Sequence, residues 1–209
     1  MRLGLKLWPA GCAYSLLVLV ASMTPAQAQV KEVIVGVTPT CPYGLGACWA
    51  GAYEALAHLD GVESVARTPD TYNCTAQVCL KTPGLPDMAR WTKQFKAAVG
   101  AVYVFRGVEV TVKGSVDKRD GSLVLQAPGL KRPVTLTPLE NKLQRNFRKA
   151  SPRQPEPDER RAYRRLTAKV EKKKGGALNV EVTGPLRQTD NGLVLEVREW
   201  LASAPVSPD

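Results

Sequence analysis

Cys41 and Cys48 bracket the segment PYGLGA, and both sit where chemistry is favoured. Cys48 falls on the first turn of an expected helix, where the positive end of the helix dipole stabilises a thiolate. Two such sulfurs on one loop can form a disulfide, work as a redox pair, or hold a soft metal ion. Two more cysteines follow five positions apart, Cys74 just before an expected strand and Cys79 near its end. With four thiols in an oxidising compartment, three pairings are open, among them a Cys74–Cys79 bridge and a crossed pairing with the loop. The single histidine, His58, reads as a solvated residue at a helix end, and Met88 shares a helical apolar face with Trp91 and Phe95.

Residues 1–28 have the pattern of a secretory leader. Arg2 and Lys6 precede the apolar stretch YSLLVLVA, and Ala26-Gln27-Ala28 has the form of a cleavage site, leaving Gln29 as the first mature residue. Cys12 precedes that apolar run and is lost with it, so periplasmic or secreted localisation is expected. The apolar run is shorter than the roughly 20 residues of a membrane span, and no transmembrane segment is expected after cleavage. Lysine and arginine number 29 against 19 acids, a net charge of +10. That excess points to acidic surfaces in general and does not select a partner.

The cysteine loop must be carried by the elements around it. Val33, Val35 and Val37 alternate as a strand that leads into it. Trp49, Ala52, Tyr53, Leu56 and Leu59 recur at helical spacing, and Asp60-Gly61 is a stop signal. VESVAR (62–67) and AQVCL (76–80) read as strands around the turn PDTYN, and Pro86-Asp87 opens a helix along Met88, Trp91, Phe95 and Val99. AVYVF (101–105) supplies a last strand. The order is β-α-β-β-α-β, a ferredoxin-like arrangement, over residues 30–106.

This order, with TPTC at 38–41 and ALAHLDGVESV at 55–65, resembles the heavy-metal-associated domain of periplasmic mercury- and copper-binding proteins and metal-pumping ATPases. The family carries two cysteines at the head of its first helix, separated by two residues; here six intervene. The resemblance implies that Cys41 and Cys48 are the metal ligands and Cu(I) or another soft ion such as Hg(II) the cargo. It also implies that the third strand lies at a sheet edge, away from the loop.

Residues 107–201 contain an internal repeat. VTVKGSVDKRDGSLVL (110–125) aligns without gaps on VEVTGPLRQTDNGLVL (180–195), with Gly114 matching Gly184 and Asp120 matching Asp190. Each copy reads as a β-hairpin. Between them lie a strand at 134–137, an expected short helix over LENKLQRNF (139–147), and the helix ERRAYRRLTAKVEKKK (159–174) with Tyr163, Leu166 and Val170 inward. Three strands, helix, two strands is the order of an OB-like five-stranded β-barrel with an inserted basic helix. The outward face of that helix carries Arg160, Arg161, Arg164, Arg165 and Lys169, either a solvated face or a surface for anions. The aliphatic strands lack the stacking aromatics of nucleic-acid binders. Residues 202–209 read as a disordered tail.

The fold class is therefore α+β in two domains, 30–106 and 107–201. No serine-histidine-aspartate set, P-loop or dinucleotide fingerprint is present, so no enzymatic activity is expected. The leading expectation is an exported soft-metal-binding protein, a carrier or sensor that passes the ion to an envelope partner. The alternative is a disulfide-stapled interaction module without metal. The third class is a thiol-disulfide oxidoreductase, although the cysteine spacing is not C-x-x-C.

Overall fold

The computed structural model describes residues 30–82, 84–130, 132–146, 151–173, 176–189 and 192–203. The expected leader lies outside these residues, and so does most of the expected tail.

The alternating valines form β1 (Val30–Pro39), and Val33, Val35 and Val37 are all buried. One helical turn, α1 (Gly44–Ala47), and α2 (Trp49–Ala57) follow, the latter burying Ala52, Ala55 and Leu56. Gly61, at φ +77°, makes the turn into β2 (Val62–Val65), and β3 (Thr75–Leu80) returns antiparallel to it. In α3 (Met88–Val99), Asp87 caps the helix by accepting from the Arg90 N–H at 3.0 Å, and Trp91 and Phe95 are almost fully buried. Trp91 Nε1 donates to the Asp60 carbonyl at 2.9 Å, which satisfies the one polar atom of that buried ring.

The next strand, β4 (Tyr103–Arg119), is 17 residues long. The domain boundary expected at 106/107 falls inside it. Its first half pairs with β1, from Pro39↔Tyr103 to Val30↔Val112, so most of β1 bonds to residues beyond 106. Its second half forms a hairpin with β5 (Ser122–Gln126), which pairs in turn with β6 (Val134–Pro138).

The helix expected over 139–147 does not form across its described residues, 139–146. Residues up to Gln144 are irregular, and β7 (Arg145–Asn146) pairs with β8 (Ser151–Pro152) in a small separate ribbon. The backbone carbonyls of this stretch are claimed from outside: Arg106 donates to that of Leu143, and the Arg153 N–H to that of Gln144 at 2.9 Å. Those tertiary partners replace the i→i−4 ladder that a helix would supply.

The basic helix α4 (Pro157–Lys172) begins with a capping box between Glu156 and Glu159 and has proline in its first turn. It buries Ala162, Leu166 and Val170; of the expected inward set Leu166 and Val170 are buried and Tyr163 is half-buried, with Ala162 taking the buried place beside it. β9 (Leu178–Thr189) and β10 (Gly192–Val197) form the second hairpin, and β11 (Glu199–Ala202) adds to β9. Ala202, placed in the tail by sequence, thus ends a paired strand.

The fold is α+β, with a mixed nine-stranded sheet in the order β11-β9-β10-β6-β5-β4-β1-β3-β2. β9 also pairs with β4, so the pairings β4–β5–β6–β10–β9–β4 close on themselves. β6 and β10 are parallel, and the other pairs of that ring are antiparallel. The buried side chains form one continuous apolar cluster, from Val35 and Phe95 to Leu125, Leu166 and Leu195. Among the described residues no helix is long and apolar enough to cross a membrane.

Candidate functional site

The end of β1 delivers the cysteine loop. Thr40 is tied to the residue just before β4 through its N–H and hydroxyl, both donating to the Val102 carbonyl at 2.9 and 3.0 Å. Leu45, 1 % exposed, plugs the α1 turn into the core, while Tyr43 beside it is 78 % exposed. Cys48 closes α1, its N–H donating to the Gly44 carbonyl at 3.3 Å, and caps α2. The Tyr103 hydroxyl donates to the Cys48 carbonyl, and Trp49 Nε1 donates to the Arg67 carbonyl at 2.7 Å. The loop is thus held at three points.

In this frame the six residues between the cysteines are taken up by the single α1 turn, and the two sulfurs meet as a disulfide pair, their Cα atoms 7.8 Å apart. Both cysteines are half-buried, so the pair stays within reach of solvent. Among the described residues no cluster of three or more histidine, cysteine or acidic side chains is placed to hold an ion. An ion at this loop would have the two sulfurs as its protein donors.

Cys74 and Cys79 are both free. Cys74, at φ +52°, precedes β3 and is buried with its thiol 3.8 Å from the Thr71 carbonyl; Cys79 is exposed. Burial pushes the Cys74 thiol up, although Arg106, Arg145 and Arg153 pull the other way, and the sulfur stays protonated and unreactive. β3 is not an edge strand: it runs between β1 and β2, and the Val37 N–H donates to the Cys74 carbonyl at 3.0 Å. The start of β3 therefore adjoins the end of the strand that carries the loop. Thr71 also lies against the loop, its Cγ2 being 3.1 Å from where a Cβ on Gly46 would stand.

His58 is exposed at the end of α2, its Nδ1 2.7 Å from the Glu54 carbonyl. Met88 is core. On α4, Arg160, Arg161, Arg164, Arg165 and Lys169 are all exposed, and Arg161 is paired with Asp158 at 2.8 Å.

Two buried polar groupings carried almost no sequence signal. Glu109 (3 % exposed) takes Arg198 at 3.1 Å and Gln144 at 3.2 Å; Arg198 also reaches Glu159, which Lys142 holds at 2.7 Å. Burial raises the Glu109 carboxyl above its ordinary value despite Arg198 and Gln144. Burial also acts to raise Glu159, but Lys142 and the Glu156 N–H outweigh it and the net shift is downward. The second grouping gathers Arg106, Arg145 and Arg153 around residues 72–74. Burial lowers Arg106 to about 10, Cys74 opposing and Arg145 adding to the fall. Its one trace in the sequence is a charged residue inside the apolar run YVFRGVEV.

Compared with family models, curated proteins and solved structures, the chain gives no match.

Proposed function

We propose that the chain is an exported binding protein, not an enzyme, whose working element is the Cys41–Cys48 pair. In the oxidising envelope the pair closes as a disulfide; reduced, it is a two-thiolate site for a soft ion, Cu(I) or Hg(II), carried as cargo. The observation that carries this reading is that one helical turn brings the two sulfurs together in spite of the six residues between them. Soft thiolates prefer such ions, and two of them suit near-linear coordination. Cys48, at the head of α2, is the thiolate favoured by the helix dipole. Half-exposure of both cysteines lets the thiols of an envelope partner attack and remove the cargo.

The scaffold reading that accompanies it is a ferredoxin-like unit and an OB-like barrel that share β4. The antiparallel order β4-β1-β3-β2 with α2 and α3 supports the first, and the closed five-strand pairing with α4 between β6 and β9 supports the second. In this reading the barrel makes the contact with the partner.

Anaerobic titration of the reduced mature protein with Cu(I) against a competing chelator tests the proposal. One tight equivalent that disappears in Cys41→Ser/Cys48→Ser is expected. No competition, with both thiols blocked as purified, would favour the second reading: a module whose loop is permanently stapled and whose surface alone does the binding.

A further inference from the structure

Three arginines distant in sequence converge on the turn before β3. Arg106, on β4, donates through Nη2 to the Cys74 carbonyl and through Nη1 to that of Leu143. Arg153 donates to the Tyr72 carbonyl at 3.4 Å, and its guanidinium lies 3.9 Å from the centre of the Tyr72 ring. Arg145 reaches Asn73 through its backbone N–H at 3.0 Å, and its guanidinium is close enough to Arg106 to lower that group's pKa. In all three the Nε is buried and has no acceptor among the described residues.

No ion pair to any of the three is formed among the described residues. Asp70, the acid of the same turn, accepts instead from Asn73, from its backbone N–H at 3.0 Å and its side-chain amide at 2.6 Å. A cleft of about 430 Å³ opens beside Arg106 and Arg145, with apolar walls from Phe105, Leu143, Pro185 and Leu186. Two other cations line it, but Lys142 is neutralised by Glu159 and Arg187 by Glu196 at 2.5 Å. Among the described residues, the cations of the cleft that form no ion pair are Arg106 and Arg145.

Guanidiniums out of water are costly unless paired, and an oxyanion is the partner that their fork of donors fits. The volume falls in the range of small-molecule sites, which combine apolar walls with a few charged groups. We propose that this cleft binds an oxyanion, a phosphate or carboxylate group, on a small ligand with an apolar body, with Arg106 and Arg145 as the anion-binding pair. The site is separate from the cysteine loop and does not depend on what that loop binds.

The test is calorimetric titration of the mature chain with inorganic phosphate and with hexanoate, at ionic strength held constant with sodium chloride. Arg145→Gln, Arg106→Lys and the α4 surface control Arg164→Gln are titrated alongside, and circular dichroism checks that each is folded. Saturable binding at one site is expected, weakened roughly tenfold or more in Arg145→Gln and unchanged in Arg164→Gln. Arg106→Lys keeps a charge without the planar fork and is expected to weaken binding as well. Binding of one probe alone would support the site and assign the source of the oxyanion. Absence of saturable binding by either probe, or equal affinity in Arg145→Gln and the unaltered chain, would overturn it.

Discussion

Gly184 lies against the carbonyl group of Glu196, so close that a Cβ on Gly184 would stand 2.9 Å from its carbon and 3.1 Å from the Arg198 nitrogen. Gly114 stands in the same relation to the carbonyl of Gln126, with Leu125 Cδ1 3.0 Å from the place of its Cβ. The two glycines match in the sequence repeat, and each faces the residue twelve positions on. The repeat therefore records a shared geometry, a first strand coiled tightly over the exit of the second. The obstruction is backbone, which cannot swing aside. Gly184→Ala is expected to cost about 3 kcal/mol, read as a lower urea midpoint with unchanged slope. Gly121→Ala, in open space but at φ +81°, costs about 1–2 kcal/mol through backbone strain alone.

Residues 30–106 made alone are expected not to fold. Val33, Ile34 and Val35 pair with Val110, Glu109 and Val108, all beyond the cut, so β1 would lose its β4 partner along most of its length. Far-ultraviolet circular dichroism on heating should show no cooperative transition for 30–106. Extending the fragment to Arg119 restores those partners and should restore a transition.

Thiol labelling should rank the cysteines by burial. In the native, oxidised mature chain only Cys79 is expected to react with an aromatic disulfide reagent, because Cys74 is buried and protonated and Cys41 is bonded to Cys48. Denaturant alone adds Cys74, and reductant adds the loop pair. Reaction of Cys74 at the rate of Cys79 in the native state would contradict its placement.

Phe95 joins α3 to β4, its ring 5.6 Å from that of Phe105 and 6.4 Å from that of Tyr103. It is fully buried. Phe95→Ala is expected to cost about 3–5 kcal/mol. Chemical denaturation measures it, and a loss below about 1 kcal/mol would mean that this interface is not packed as described.

The two buried carboxylates should give opposite pH dependences. Glu109 is raised above its ordinary 4.5, so just above that pH the folded chain holds a proton that the unfolded chain has released. Stability then falls as pH rises through that window. Glu159 is lowered, so the unfolded chain binds the extra proton below 4.5, and stability is lost as pH falls. Denaturation from pH 3 to 8 should show the upper decline removed in Glu109→Gln and the acid-side loss reduced in Glu159→Gln.

The sequence by itself determined the elements whose information is local. The helical spacing of Met88, Trp91 and Phe95, the alternation of Val33, Val35 and Val37, and the matched hairpins at 110–125 and 180–195 each lie within one or two dozen residues. Side-chain period and turn chemistry act over that range, so they are legible before any contact is known. Only the tertiary structure decided that β4 runs unbroken from one unit into the other, because pairing with β1 and β9 rewards continuation where composition alone marks a pause. It also decided against a helix over 139–146, since Arg106 and Arg153 take carbonyls there that the leucine spacing would have given to a helix. The two candidate sites divide the same way. The cysteines were visible by type, and their meeting was settled by the α1 turn and by Leu45 in the core. Arg106, Arg145 and Arg153 share no motif, and they converge because a strand, a ribbon and a turn pack at one place. Such long-range juxtapositions depend on packing between elements, which no local period encodes.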